Sequence, residues 1–491
     1  MLASVLNAVA AVGSSLVAVP LILAAVGTAG YGAWTLGLAV VLYVSILETG
    51  LGPAVQRFTA VARGAGDEPA VGRLLWTTLI AYAVLGLVGL AVLRLAAPAL
   101  ADIFDLPSGL QRDAETMFRD LGFALALALL AAGAGNVLQG LERFGALAWS
   151  SVVGAVGFLI AVLALAESSG LPGLAAALAI QNGLVLVLRL IALRGVITAR
   201  RPATASRATL RSMLGFSARL QVTAVSELIN WQSDKVIVGL VAPATTVGQL
   251  GIGGQFADGG RLLAGAALSP VHASFAVSAG AGDTVELERR FVALHRLWIL
   301  GVLGAAAVGA ASLPPLIEAW LGPGYGQAAM LGTFLVLGSA AGLATGTGVA
   351  YMRAIGQPGL EARYGLIIVA ANLALTIPLA FAAGAIGVVV GTFGAYLAGM
   401  SWFFAGLRRH VPVSPVRSLG EGVATLAAAL LAGAASLGFG LLAVEFLPTR
   451  VSLPFVAAGA LFALAAYAGG VLGLRPTRAV LRRWLAGAPT A

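Results

Sequence analysis

Along this chain the apolar residues neither alternate nor recur at every third or fourth position. They run together in blocks of about 20, the length a helix needs to cross a bilayer core. Fourteen blocks can be read, at roughly 3–26, 31–54, 74–94, 118–138, 146–166, 173–193, 216–241, 248–273, 295–319, 328–352, 363–383, 385–407, 421–443 and 453–474. Glycine, proline and short polar stretches separate them. The pattern predicts an all-α polytopic membrane protein with about 14 transmembrane helices. Its expected parts are a first six-helix half (1–194), a basic cytoplasmic linker (195–215), a second six-helix half (216–407), two additional C-terminal helices (408–474) and a basic cytoplasmic tail (475–491). The first block lacks a preceding basic segment and is too long for a cleaved signal peptide, so it reads as the first span.

Composition sharpens this picture. Of 491 residues 59% are hydrophobic and 10% charged, against roughly 25% charged in a soluble chain; mean hydropathy is +0.97. The net charge of +9 could suggest nucleic acid, but the arginines form short clusters between blocks rather than one basic face with stacking aromatics. Topology accounts for them. With the N-terminus inside, 22 arginines fall in cytoplasmic loops, span ends or the tail, and only Arg94, Arg112, Arg119 and Arg450 lie outside. That asymmetry favours an even number of spans with both termini cytoplasmic, and no nucleic-acid partner. Cysteine is absent, which excludes disulfides and thiolate metal sites. His272, His295 and His410 fall in separate segments, so neither a metal nor a cofactor is expected.

Three pairs of segments repeat at nearly one spacing. Pro53–Phe58 (PAVQRF) resembles Pro270–Phe275 (PVHASF) 217 residues on, Gly32 matches Gly248 at 216, and Leu141 after span four matches Ile355 after span ten at 214. An offset of six spans predicts a parallel repeat about an axis along the membrane normal, with a central cleft between the halves.

Certain stretches are similar to a known family. GYGAWTLGLAVVLYVSILETGLGPAVQRFTA, Gly30 to Ala60, resembles the signature over spans one and two of bacterial polysaccharide transporters, the lipid-linked oligosaccharide (O-antigen-flippase-like) flippases of the MATE/polysaccharide-flippase superfamily. DKVIVGLVAPATTVGQLGI, Asp234 to Ile252, is similar to their span seven to eight junction, and LERF after span four fits as well. The resemblance implies two six-helix bundles in a V and export of undecaprenyl-diphosphate-linked glycan units by alternating access. It implies membrane lipids and a lipid-linked glycan as partners, with a polysaccharide polymerase or glycosyltransferase complex beside them. Span one lacks the charges found in lipid II flippases, which tells against a peptidoglycan precursor.

The ionisable residues inside blocks mark candidate chemistry, because a charge in a bilayer costs about 2.5–3.5 kcal/mol and normally faces a bundle interior. On span seven, Thr223, Glu227, Asn230, Trp231 and Asp234 share one helical face, and span eight offers Gly251, Gly254, Gln255, Asp258 and Arg261. Glu227 and Asp258 both sit near the midplane by helical rise, which predicts that they approach each other. Arg261 can pair with Asp258 one turn away. Two readings stand. In one, these are buried ion pairs that hold the bundles together. In the other, Arg261, Lys235, Arg219, Gln255, Asn230 and Trp231 bind an anionic head group while Glu227, Asp258 and Asp234 take the coupling ion. Lys235, the sole lysine, either snorkels to the outer interface or meets a departing diphosphate as a compact charge. Glu48 and Glu318 read as interfacial. Asn136, Gln139, Gln181, Asn182 and Asn372 read as bonds between helices rather than cleft lining.

The function classes narrow accordingly. A flippase for lipid-linked oligosaccharide fits best, with a multidrug antiporter of the same superfamily as the alternative. A polyprenol-dependent glycosyltransferase or polymerase needs a sizeable external loop, and the longest external segment is 95–117. An ATP-driven pump needs a Gly-Lys-Ser/Thr phosphate loop, and the lone lysine follows aspartate.

Overall fold

The computed structural model describes residues 2–48, 50–104, 106–199, 206–411 and 422–473; the side chains of 2–11, Leu47, 197–199, 216–224, 422–424, Thr449, Arg450 and 472–473 lie outside that description. Every regular element among the described residues is helical: α1 (Leu2–Val44), a 3-10 turn (Ser45–Leu47), α2 (Leu51–Gly64), α3 (Glu68–Ile103), α4 (Ser108–Gly140), α5 (Phe144–Ala192), α6 (Arg194–Ala199), α7 (Arg207–Val241), α8 (Ala244–Gly280), α9 (Thr284–Leu321), α10 (Gly326–Ala344), α11 (Gly346–Ala354), α12 (Gly359–Leu407), α13 (Gly422–Phe446) and α14 (Thr449–Gly473). Ten are long and apolar enough to cross a membrane.

Length shows where one helix is two spans. Both α5 and α12 have 49 residues, about 74 Å at ~1.5 Å per residue, more than twice the ~30 Å bilayer core. Each breaks at one glycine, Gly170 (φ 57°, ψ −134°) and Gly384 (φ 59°, ψ −140°), in a backbone region open almost only to glycine. The 43-residue α1 breaks likewise at Gly27 (φ 67°). Divided there, and with the more polar 35-residue α7 included, the helices reproduce the fourteen expected spans. Two details differ from expectation. The segment 95–117, expected to be the longest external one, is a helical hairpin rather than a loop, since α3 and α4 run on to Ile103 and from Ser108. The basic linker contains α6 and the start of α7, while its centre, 200–205, lies outside the described residues, as does the tail 474–491.

Packing divides the chain into two compact units, Met1–Gly251 and Ile252–Ala491. In the first, α4 packs between α3 and α5, α1 lies on α5, and α7 lies on α1, α2 and α3. In the second, α9 packs on α10, α13 and α14, and α10 on α12. The cores differ. The second unit gathers Phe275, Phe291, Tyr351, Phe403 and Phe404 into an aromatic cluster with centroid spacings such as 4.6 Å for Phe291–Tyr351.

The repeat is visible in local geometry. Gly66 and Gly282 both take positive φ, and each is followed by an aspartate that caps the next helix, Asp67 to the Ala70 amide and Asp283 to the Glu286 amide, both at 2.9 Å. Glu142 and Gly356 take positive φ after α4 and α11. The next amides, Arg143 and Gln357, donate to Leu138 and Met352 at 2.9 and 2.8 Å. A reciprocal contact inside the first unit follows the same spacing. A Cβ on Gly32 would overlap the Ala244 carbonyl, a Cβ on Gly248 would overlap the Thr28 carbonyl, and a Cβ on Gly251 would sit 2.6 Å from Thr35 Oγ1. The equivalent positions Thr28 and Ala244, Gly32 and Gly248, and Thr35 and Gly251 are each 216 residues apart, so each segment offers the other the same surface, as in contacts about a local two-fold. Backbones approach this closely only because the contact positions lack side chains.

Candidate functional site

Helix α7 sorts its polar residues by face. Ser226, Asn230, Ser233 and Asp234 are buried, Asp234 with 5% of its surface exposed. Glu227 and Trp231 are exposed and Lys235 is half-buried. The stripe read from the sequence is therefore divided: Asn230 and Asp234 point inward and their neighbours Glu227 and Trp231 do not. Lys235 departs from the Asp234 direction, as ~100° per residue requires. The Asn230 Oδ1, Gln232 Oε1 and Ser233 Oγ atoms are buried without a hydrogen-bond partner among the described residues. The side chains of Arg219 and Thr223 lie outside the description.

On α8, Arg261 forms the expected ion pair with Asp258 one turn earlier, and Gln255 is half-buried. The glycines serve close approach: a Cβ on Gly253 would lie 2.7 Å from the Gly332 amide nitrogen of α10. Glu227 belongs to the first unit and Asp258 to the second.

A second polar group, set aside by sequence reasoning, lies in the first unit. Gln56 Nε2 donates to Asn136 Oδ1, Asn136 Nδ2 donates to the Tyr82 hydroxyl, and that hydroxyl donates to Glu48 Oε1, each at 3.0 Å. The chain ties α2, α4, α3 and the turn after α1. Gly52 makes it fit, since a Cβ there would meet Asn136 Nδ2 at 3.0 Å. Among the described residues no cation forms an ion pair with Glu48. Arg189, one of the 22 arginines that topology places in cytoplasmic loops, span ends or the tail, donates to the Ala131 carbonyl (2.7 Å) and Ser150 Oγ (3.3 Å). It has no acidic partner among the described residues. A mid-chain guanidinium bonded only to neutral oxygens keeps its full charge for an anion. No local motif signals this group, because the residues bonded to one another stand 34 to 80 positions apart.

The expected helix-to-helix bonds form at Asn136, at Asn182, which donates to Ala124 O (3.0 Å), and at Asn372, which donates to Thr392 Oγ1 (3.3 Å) while Thr376 donates to the Asn372 carbonyl (2.7 Å). In the second unit His295 Nδ1 meets Thr347 Oγ1 at 2.7 Å and stacks on Phe291, which makes it a satisfied core histidine.

No curated protein sequence matches this chain. Solved structures do. An inward-facing multidrug resistance MATE family transporter of the MOP superfamily aligns with TM-score 0.68 at 15% identity, covering 81% of this chain and 94% of that one. The lipid II flippase MurJ in an inward closed conformation aligns with TM-score 0.68 at 13% identity over 96% of this chain and 98% of that one. A MOP superfamily transporter from Pyrococcus furiosus aligns with TM-score 0.58 at 16% identity, over 82% and 94%. At such identities the likeness establishes the fold, a polytopic membrane bundle. The sequence itself matches the family model described as polysaccharide biosynthesis protein over residues 2–258, more than half of its length, and the chain belongs to that family.

Proposed function

We propose that this protein moves undecaprenyl-diphosphate-linked oligosaccharide across a bacterial inner membrane by alternating access, with both termini cytoplasmic. The observation that carries the reading is the family match over residues 2–258 on a helical fold like that of a lipid II flippase. The chemistry is compatible. Flipping a diphosphate head group requires cations in the membrane that can release it again, and Arg189, Arg261 and Lys235 are the candidates for that work. Neither a phosphate loop nor a large external domain is present in the sequence, so the driving force is an ion gradient, the membrane potential or a partner. Asp258, Asp234 and Glu227 remain the proposed ion-coupling carboxylates, with Gln255, Asn230, Trp231 and Arg219 as further head-group contacts. A glycosyltransferase or polymerase complex would supply or consume the lipid-linked glycan.

A second reading, a multidrug antiporter, draws on the MATE likeness of equal TM-score. It is disfavoured by the pairing of Asp258 with Arg261, which leaves that carboxylate less able to attract a cationic drug. The experiment is a deletion strain: loss of the gene should leave lipid-linked glycan on the cytoplasmic face and remove surface glycan, and the intact gene should restore it. Normal surface glycan in the deletion strain would sink the proposal.

A further inference from the structure

The second unit holds a pocket at the end of its bundle where arginines gather, lined by none of the candidate site residues above. Its volume is about 340 Å³, and its lining includes Gln357, Arg363, Trp402, Gly406, Arg409 and His410. That is the volume of about ten waters, room for a phosphoglycerol group. Arg363 and Arg409 are exposed, and among the described residues neither is in an ion pair. The nearby carboxylate is already taken, because Arg353 holds Glu361 through two hydrogen bonds, one of them Nε to Oε2 at 2.7 Å. Backbone bonds fix the rim: the Arg409 amide donates to Gly406 O (3.1 Å) and the His410 amide to Leu407 O (2.9 Å).

The repeat explains why the pocket is open. In the first unit Arg143 follows the positive-φ Glu142, and its Nη1 donates to the Ala192 carbonyl at 2.5 Å, bolting the two ends of α5 together. At the matching place after the positive-φ Gly356 stands Gln357. Counted from the kinks at Gly170 and Gly384, Ala192 corresponds to Gly406. A shorter neutral side chain faces a glycine where the first unit has its bolt, and three cationic or titratable side chains ring the gap.

We propose that this pocket binds the head group of an anionic phospholipid, with Arg363 and Arg409 on the phosphodiester, Trp402 at the interface, and the acyl chains on the apolar outer surface of α12. Basic recesses between spans at a membrane face are suited to such lipids, and an indole is at home at head-group level. A free phosphate shares the charge but not the acyl chains, which separates the two sources experimentally.

The test uses the purified full chain in detergent, with lipid adducts counted by native mass spectrometry during titration with phosphatidylglycerol or phosphatidylcholine. Wild type should bind phosphatidylglycerol preferentially. The variant with Arg363→Ala and Arg409→Ala should bind it about 25-fold more weakly, about fivefold per arginine. Gln357→Arg should also weaken it by rebuilding the bolt, although it adds positive charge; a purely electrostatic surface would bind more tightly instead. An unchanged thermal midpoint in this single variant keeps the test independent of folding. Equal lipid binding by wild type and both variants overturns the proposal. Displacement of the lipid by millimolar inorganic phosphate, or by undecaprenyl diphosphate at equal concentration, overturns it in favour of a free-anion or substrate site.

Discussion

Replacing Gly32 by alanine adds one methyl group at the tightest point of the reciprocal contact between α1 and the start of α8. The new Cβ would overlap the Ala244 carbonyl oxygen and lie 2.7 Å from its carbon and 3.0 Å from the Gly248 nitrogen. Non-bonded carbons rest at about 3.5–4.0 Å, so two backbones must separate by roughly 1 Å. Neither is a flexible side-chain tip, and overpacking of this kind costs about 1–3 kcal/mol. We propose that this contact holds the outer side closed during alternating access, so that its loss should shift the protein toward outward opening by about fivefold to more than a hundredfold at ~1.4 kcal/mol per tenfold. The chain has no cysteine, so a single Thr35→Cys reporter is specific, and Thr35 is only 7% exposed. Labelling by a membrane-impermeant maleimide from outside should be slow in the Gly32 protein and at least fivefold faster with Gly32→Ala. Equal labelling rates in two well-expressed proteins would refute the gate.

Other expectations can be checked separately. Gly384→Ala forces a side chain into a backbone conformation at φ 59° and should cost about 1–3 kcal/mol, lowering the thermal midpoint in detergent. Gly260→Ala, in open space within α8, should instead raise that midpoint slightly, because alanine is the better helix former. Asn136→Ala removes the link between Gln56 and Tyr82 and should destabilise the protein by about 1–3 kcal/mol, whereas Tyr82→Phe, which removes only the hydroxyl, should cost less in the same unfolding assay. Arg261→Ala should abolish glycan export while the protein stays in the membrane; loss of the protein itself would instead assign the Asp258 pair a structural role. Lys235→Arg should insert normally yet export more slowly, as should Asp234→Asn, and wild-type export by Lys235→Arg would reduce the lysine to an interface anchor.

The spans were legible because membrane helices are written in local composition, one apolar block at a time. Their junctions were less so. Segments read as short loops at 27–30, 167–172 and 384 collapse to single positive-φ glycines, since one such residue can end a helix and start another without a loop. The matched GAGD segments at 64–67 and 280–283, which form the same glycine turn and aspartate cap in both repeats, carried a further repeat signal beyond the three matches read from the sequence. Spacing placed Asp258 beside Arg261 correctly, because i, i+3 geometry is local. It could not orient α7: helical periodicity groups Glu227, Trp231 and Asp234 on one side, but which part of that side faces protein depends on α1, α2 and α3. The chain from Gln56 to Glu48 was illegible for the same reason, as its three bonds join four separate elements.

The most direct test of the account is transport by the purified protein in liposomes. Undecaprenyl-diphosphate-linked oligosaccharide loaded on one leaflet should become accessible to a lectin added on the other side, in wild type and not in Arg261→Ala. A fluorescent cationic drug offered to the same vesicles should not move. Drug movement with the glycan lipid left in its original leaflet would contradict the account and identify an antiporter instead.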